Sequence, residues 1–118
     1  MKAQPAAHAL LRIYFNEDDH ANKRGPPLAE VLLEHLQNAG IPGATIYRGV
    51  MGYGSHHQVH ATSLLRLTEH LPLMLEAVHE ELPLRHLVEE LHPLLQECLV
   101  LIQPVEILHQ PHGEDKVQ

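Results

Sequence analysis

The sequence predicts an α+β fold in which two helices cover one face of a four-stranded antiparallel sheet. Three observations predict it. Apolar and polar residues alternate near the start of the chain. Two later segments, each preceded by proline, carry apolar residues at helical spacing. A short apolar run follows each of these two segments. With 118 residues, 44% of them apolar, the chain can bury one ordinary core but not two. We therefore expect a single domain over 1–118, with an ordered core over about 10–108.

The first half of the chain is predicted to form a strand, a helix and a second strand. Over 10–15 the alternation has the period of two that is typical of a half-buried strand. A helix is expected over 27–39, because Pro27 suits a first helical position and Gly40 supplies a stop. The apolar run over 44–51 predicts the second strand.

The second half repeats this pattern. A third strand is predicted over 73–78, and the leucine-rich stripe over 84–95 predicts a helix opened by Pro83 in its first turn. Pro93 lies inside this stripe and lacks a backbone donor, so we expect a kink or an early end there. The fourth strand is predicted over 99–108.

Two stretches lack a clean period. Most of 55–70 is expected to be a long loop, although 63–67 has the composition of a short strand, and 109–118 is expected to be a loose tail. Pro104 is tolerable in the fourth strand only at a sheet edge or a bulge.

The resulting order, two split βαβ halves, predicts the ferredoxin-like βαββαβ architecture. Because both helices then lie on one face, the other face of the sheet needs a cover. Self-association into a homo-oligomer is the simplest one.

Charge and composition exclude some classes of function. Eight Lys and Arg against fifteen Asp and Glu give a net charge of −7 without any basic run, which argues against a nucleic-acid partner. The first nine residues hold one Lys and no apolar stretch long enough for a signal peptide, and no run is long enough to span a membrane. A single cysteine, Cys98, is expected to be a buried core residue. We therefore expect a cytoplasmic protein.

Histidines His56, His57 and His60 form the best candidate metal site, because neutral imidazoles bind Zn, Cu, Ni or Fe. They follow a strand-like run that ends in glycines, and a loop can fold around an ion or gather one histidine from each of three subunits. The alternative is a solvated histidine-rich loop in a chain with twelve histidines.

Two arginines flank the glycine turn. Arg48 and Arg66 can hold a phosphate or carboxylate through paired donors, or form structural ion pairs with Glu17 or Glu69. The acidic run over 17–19 either helps to coordinate a cation or is a solvated charge cluster. The sequence contains no nucleophile elbow, P-loop or HExxH motif, and no Cys-His arrangement around Cys98. We therefore do not expect an enzyme.

Four segments carry a family resemblance: LRIYFNED, PLAEVLLEHLQNAGIPGATIYRGVMGYG, HATSLLRLTEHLPLMLEAV and ECLVLIQPVEIL. Across about 10–108 the chain resembles domain-of-unknown-function family 190, a PII-like group. The resemblance implies a ferredoxin-like trimer in which the loop between strands two and three senses an effector. It also implies that adenine nucleotides bind in the clefts between subunits and that their state is passed to transporters or enzymes.

Carried over by position, Gly52, Tyr53 and Gly54 resemble the Gly-aromatic-Gly at the base of the sensing loop, and the loop itself begins at Ser55. With Arg48 and Arg66 these are the candidate effector-binding residues. They are Arg48, Gly52, Tyr53, Gly54, Ser55 and Arg66.

The resemblance leads to a first hypothesis, a PII-like regulatory protein that senses a small effector, an adenine nucleotide such as ATP, ADP or AMP. It would signal to a transporter or enzyme through the loop over 55–70. One alternative is a metal-binding module that uses His56, His57 and His60. Another is an adaptor that binds a protein, or the cytoplasmic face of a transporter, without any small ligand.

Overall fold

The computed structural model describes residues 7–53 and 70–111. Each predicted strand and helix in these ranges is present, and the four strands form one antiparallel sheet in the order β2-β3-β1-β4. The predicted ferredoxin-like βαββαβ architecture is confirmed. In chain order the elements are β1 (His8–Asn16), α1 (Leu28–Asn38), β2 (Ala44–Arg48), β3 (Pro72–Glu80), α2 (Glu81–Glu90), a short 3-10 turn (His92–Leu94) and β4 (Leu99–Val105).

One face of the sheet is buried under both helices. Alternate residues of β1 and β3 point to this face, and Leu11, Ile13 and Leu75 have no exposed surface. Leucines of α1 and α2 belong to the same cluster, so one continuous core lies between the sheet and the helix pair. The buried residues are Ala9, Leu11, Ile13, Phe15, Leu28, Leu32, Leu36, Ile41, Leu73, Leu75, Ala77, Leu84, Leu87, Leu91 and Leu95.

Helix α1 ends as its sequence predicts. Gly40 has a φ of 84°, a left-handed conformation that favours glycine. The Gly40 N–H donates to the carbonyl of Gln37, and the Ile41 N–H donates to the carbonyl of Leu36. These two bonds form the Schellman motif, which satisfies carbonyls at the end of the helix and turns the chain towards β2.

Strand β2 is shorter than predicted, because it ends at Arg48 and not at Met51. The Gly49 N–H donates to the Pro72 carbonyl at 2.8 Å. Pro72 has no N–H to return a bond, so the ladder stops at this pair. A Cβ on Gly49 would lie 2.8 Å from Cγ of Pro72. The backbone at position 49 therefore lies closer to the proline ring than a residue with a side chain would allow.

Helix α2 ends early, as Pro93 predicts. It begins at Glu81, places Pro83 in the first turn, and ends at Glu90 before the 3-10 turn that contains Pro93. Proline is tolerated in a first turn because those N–H groups have no partner inside the helix.

Strand β4 was predicted to reach residue 108 and ends at Val105. Val105 pairs with His8, the first residue of β1, so the chain beyond Val105 has no neighbouring strand to join. β4 is an edge of the sheet, which is where Pro104 was expected to be tolerated.

Some predictions fall on residues that the structure does not describe. The short strand over 63–67, nearly all of the loop over 55–70 and the tail beyond Pro111 lie outside the described residues. In the part of the chain that is described, no helix combines the length and apolar character needed to cross a bilayer.

Candidate functional site

The face of the sheet opposite the helices, called the open face below, carries large apolar side chains. Tyr47 is 49% exposed, Leu99 59% and Leu101 44%. The strand register places Tyr47 beside Met74, and Tyr14 pairs with both Met74 and Leu99, so one apolar row crosses all four strands. An apolar surface of this extent is typical of an interaction site.

A polar row lies beside this apolar row on the open face. Arg12 donates from Nε to Oε2 of Glu76 at 3.0 Å, and the Tyr47 hydroxyl lies 3.5 Å from Oε1 of the same carboxylate. The hydrogen bond to Glu76 raises the pKa of Arg12 above its usual value. The open face therefore presents a partnered ion pair next to the apolar row.

The end of β2 and the start of β3 are joined by Glu17, from the loop after β1. The Glu17 N–H donates to the Leu71 carbonyl at 3.0 Å, and Glu17 Oε1 accepts from the Leu71 N–H at 3.2 Å. Oε2 of the same carboxylate lies 3.1 Å from Nη2 of Arg48. Of the two interpretations of Arg48, the ion pair with Glu17 is therefore present, and the arginine side chain is still 65% exposed.

The other two carboxylates of the acidic run also have protein partners. Asp18 Oδ2 lies 3.2 Å from Nδ1 of His70, an ion pair when the imidazole is protonated. Asp19 Oδ2 accepts from the Asn16 N–H at 2.9 Å. Each carboxylate of the acidic run therefore has a protein partner.

The predicted effector-binding residues are described in part. Arg48 is the last residue of β2, and Gly52 and Tyr53 follow it closely in the chain. A Cβ on Gly52 would stand 3.0 Å from Cγ of Pro72. Tyr53 is 68% exposed. Gly54, Ser55 and Arg66 lie outside the described residues.

The candidate metal ligands His56, His57 and His60 also lie outside the described residues. Within 7–53 and 70–111, no three His, Cys, Asp or Glu side chains are grouped so that they could hold a metal ion.

A cavity that the sequence did not reveal lies at the opposite end of the sheet from Arg48. It has a volume of about 520 Å³, and its walls include His8, His79, Glu80, Val78 and His109. These residues are far apart in the chain and meet because His8 pairs with Glu80 in the sheet. The register of strand pairs was the missing information, since the pattern of single segments does not define it.

Cys98 packs against the edge of the core and is partly buried. Burial raises the pKa of its thiol from 9.0 to about 11, and the nearby charges of Asp19 and Glu97 act in the same direction. The thiolate is the reactive form, so this cysteine is a poor nucleophile at neutral pH.

We expect iodoacetamide to alkylate Cys98 slowly in the folded protein at pH 8, with a pH–rate midpoint near 11. The unfolded chain in urea is the control and should react with a midpoint near 9. The thiol of the unfolded chain ionises at a lower pH than the thiol of the folded protein. The free energy of unfolding should therefore be independent of Cys98 below pH 9 and should fall as the pH rises from 9 to 11. A midpoint near 9 in the folded protein would show that burial does not control this thiol.

Comparison with known proteins places this arrangement in a family. Residues 8–107 match the family model DUF190, described as Uncharacterized ACR, COG1993. A UPF0166 protein from Aquifex aeolicus (strain VF5) is 31% identical over 100 residues, which are 85% of this chain and 92% of that protein. A UPF0166 protein from Methanocaldococcus jannaschii is 30% identical over 93 residues, which are 79% of this chain and 83% of that protein.

Solved structures share the fold at lower identity. CPII from Thiomonas intermedia K12, bound to ADP, AMP and acetate, has a TM-score of 0.63 at 19% identity, covering 88% of this chain and 91% of its own. Another structure of CPII, a nitrogen regulatory PII-like protein, is bound to ADP, AMP and bicarbonate. It has a TM-score of 0.60 at 20% identity over 86% of this chain and 94% of its own. The chain belongs to the DUF190 family and has a PII-like, ferredoxin-like fold.

Proposed function

We propose that this protein is a PII-like regulator that binds an adenine nucleotide in clefts between copies of the chain and signals to a transporter or enzyme. The observation that carries the proposal is the exposed Arg48 guanidinium at the end of β2, which Gly52 and Tyr53 follow closely in the chain. The CPII structures with ADP and AMP support it, because they have the same fold.

The chemistry of Arg48 and Tyr53 suits a nucleotide. Arginine binds phosphate oxygens through paired N–H donors. Gly52 lets the backbone between them pass close to the Pro72 ring, since a Cβ there would lie 3.0 Å from Cγ of Pro72. The exposed ring of Tyr53 offers an aromatic surface on which a purine can stack. Gly54, Ser55 and Arg66 are proposed to extend the same site.

The open face supports the proposed assembly of copies. Three of its large side chains, Tyr47, Leu99 and Leu101, each leave more than 40% of their surface in water. Each fully buried side chain of this size contributes about 1.5–3 kcal/mol, so covering the face against sister copies is favourable. We propose a homotrimer, the state that the resemblance to PII proteins implies, with the nucleotide clefts at the seams between copies.

The proposed signal is a change in order of the loop over 55–70 when nucleotide binds at its base. Ordering of a segment by phosphate contacts is an established type of switch. A protein partner would then distinguish the nucleotide-bound state from the free state.

Isothermal titration calorimetry with ATP, ADP, AMP and cyclic nucleotides tests the proposal. We expect binding heat with at least one of these nucleotides at micromolar concentrations of wild-type protein. The Arg48→Gln variant should bind the same nucleotide at least about tenfold more weakly, because a charge-assisted contact to phosphate is lost. The absence of heat with every nucleotide would overturn the proposed function.

A further inference from the structure

We infer that Glu17 is a positioning residue that holds the Arg48 guanidinium in place for the phosphate of a nucleotide. The inference rests on the proposed function and adds to it a residue from a different loop, the one after β1. No part of the resemblance pointed to Glu17 as a contributor to the site.

Glu17 is itself held firmly. Its backbone N–H and its Oε1 both bond to Leu71, at 3.0 and 3.2 Å, so two bonds tie it to the chain just before β3. Its side chain is only 28% exposed. The carboxylate therefore does not depend on Arg48 for its own position.

Arg48 has the opposite character, because its side chain is 65% exposed and comes from the last residue of a strand. A long, exposed arginine loses rotamer freedom when it binds a ligand, and this loss weakens binding. The 3.1 Å contact between Nη2 and Glu17 Oε2 reduces that freedom before any ligand arrives. A guanidinium has five N–H donors, so this contact leaves others for a second anion.

The neighbouring carboxylate contacts a different side chain. Asp18 is the next residue along the chain, and its Oδ2 lies 3.2 Å from Nδ1 of His70. Asp18 therefore offers a carboxylate in the same loop against which the role of Glu17 can be compared.

The experiment compares Glu17→Gln with wild type in calorimetric titrations with ADP. The amide oxygen of glutamine can still accept from the Leu71 N–H, while the charge that holds Arg48 is removed. We expect the affinity for ADP to fall about fivefold, which matches the cost of ordering one long side chain. Asp18→Asn is the matched control in the same loop, and it should change the affinity less than twofold.

Two further measurements separate a positioning role from a general structural one. In an Arg48→Gln background, adding Glu17→Gln should cause no further loss of affinity, because the residue it positions is gone. In NMR spectra of the free protein, the Arg48 Nε–H should be more mobile in Glu17→Gln than in wild type.

The outcomes distinguish the two proposals. If wild-type protein binds no nucleotide, the proposed function is overturned. The inference about Glu17 is then overturned too, because it names a nucleotide phosphate as the ligand of Arg48. If wild type binds ADP and Glu17→Gln binds it equally well or more tightly, the inference alone is overturned, since tighter binding would mean that Glu17 competes with the ligand. The inference is also overturned if Glu17→Gln lowers the affinity for ADP as much in the Arg48→Gln background as in wild type. Unchanged mobility of the Arg48 Nε–H in Glu17→Gln would overturn it as well.

Discussion

Glutamate at both Leu99 and Leu101 is expected to convert the proposed trimer into single protomers. These side chains are 59% and 44% exposed on the open face, and Leu99 pairs with Tyr14 in the apolar row. If a sister copy covered the face, both new carboxylates would have to be taken out of water. The one at 99 lies opposite Tyr14 and would have no charged partner across the strand pair, which costs several kcal/mol. Sedimentation velocity at micromolar concentration measures the change as a shift from trimer to protomer.

The matched control is Leu108→Glu. Leu108 is 89% exposed and lies beyond the end of β4, so the same change of side chain should leave the sedimentation coefficient as it is in wild type. Both variants should retain the wild-type circular dichroism spectrum, because none of the three leucines belongs to the core between sheet and helices. A trimer that survives glutamate at both 99 and 101 would show that the open face is not the seam.

Alanine at Leu75 is expected to lower the free energy of unfolding by about 3 kcal/mol. Leu75 has no exposed surface and sits on β3, an interior strand with partners on both sides. Its removal leaves a cavity in the single core, and leucine-to-alanine changes at such positions cost about 2–5 kcal/mol. Urea denaturation at one fixed protein concentration measures the loss, since the stability of an assembly depends on concentration.

Leu82→Ala serves as the control for this experiment. Leu82 is 67% exposed in the first turn of α2, and alanine is a good helix former, so the free energy of unfolding should change by no more than about 0.5 kcal/mol. Equal losses for the two variants would contradict the core described above.

The sequence predicted the elements well where one local rule governs them. The alternation in β1 places Leu11 and Ile13 in the core, and Gly40 ends α1 through a conformation that glycine adopts readily. Pro93 ends α2 because its ring and missing N–H are incompatible with a helix interior.

The sequence failed where the outcome depends on a partner elsewhere in the chain. β2 ends at Arg48 because Pro72, far along the chain, cannot return a hydrogen bond. β4 ends at Val105 because its partner strand begins at His8. Neither end can be read from the local composition, because Val50 and Met51 follow the first and Ile107 and Leu108 lie beyond the second.

The candidate site was predictable only as a list of alternatives. An ion pair between Arg48 and Glu17 was one interpretation of the sequence, and the structure contains it. Both bonds that tie Glu17 to Leu71 use backbone groups of Leu71, so the identity of the residue at 71 gives no sign of them. The structure thus revealed the contacts that hold Glu17 next to Arg48. The nucleotide itself is a proposal that the family resemblance suggested.

The central claim is that the nucleotide binds at seams between copies of the chain, and calorimetric titration of ADP tests it most directly. The titration is made with wild-type protein and with the variant carrying glutamate at Leu99 and Leu101. The account predicts saturable heat with the assembled wild type and none with the dissociated protomer. Equal binding by both, or no binding by the wild type, would contradict it.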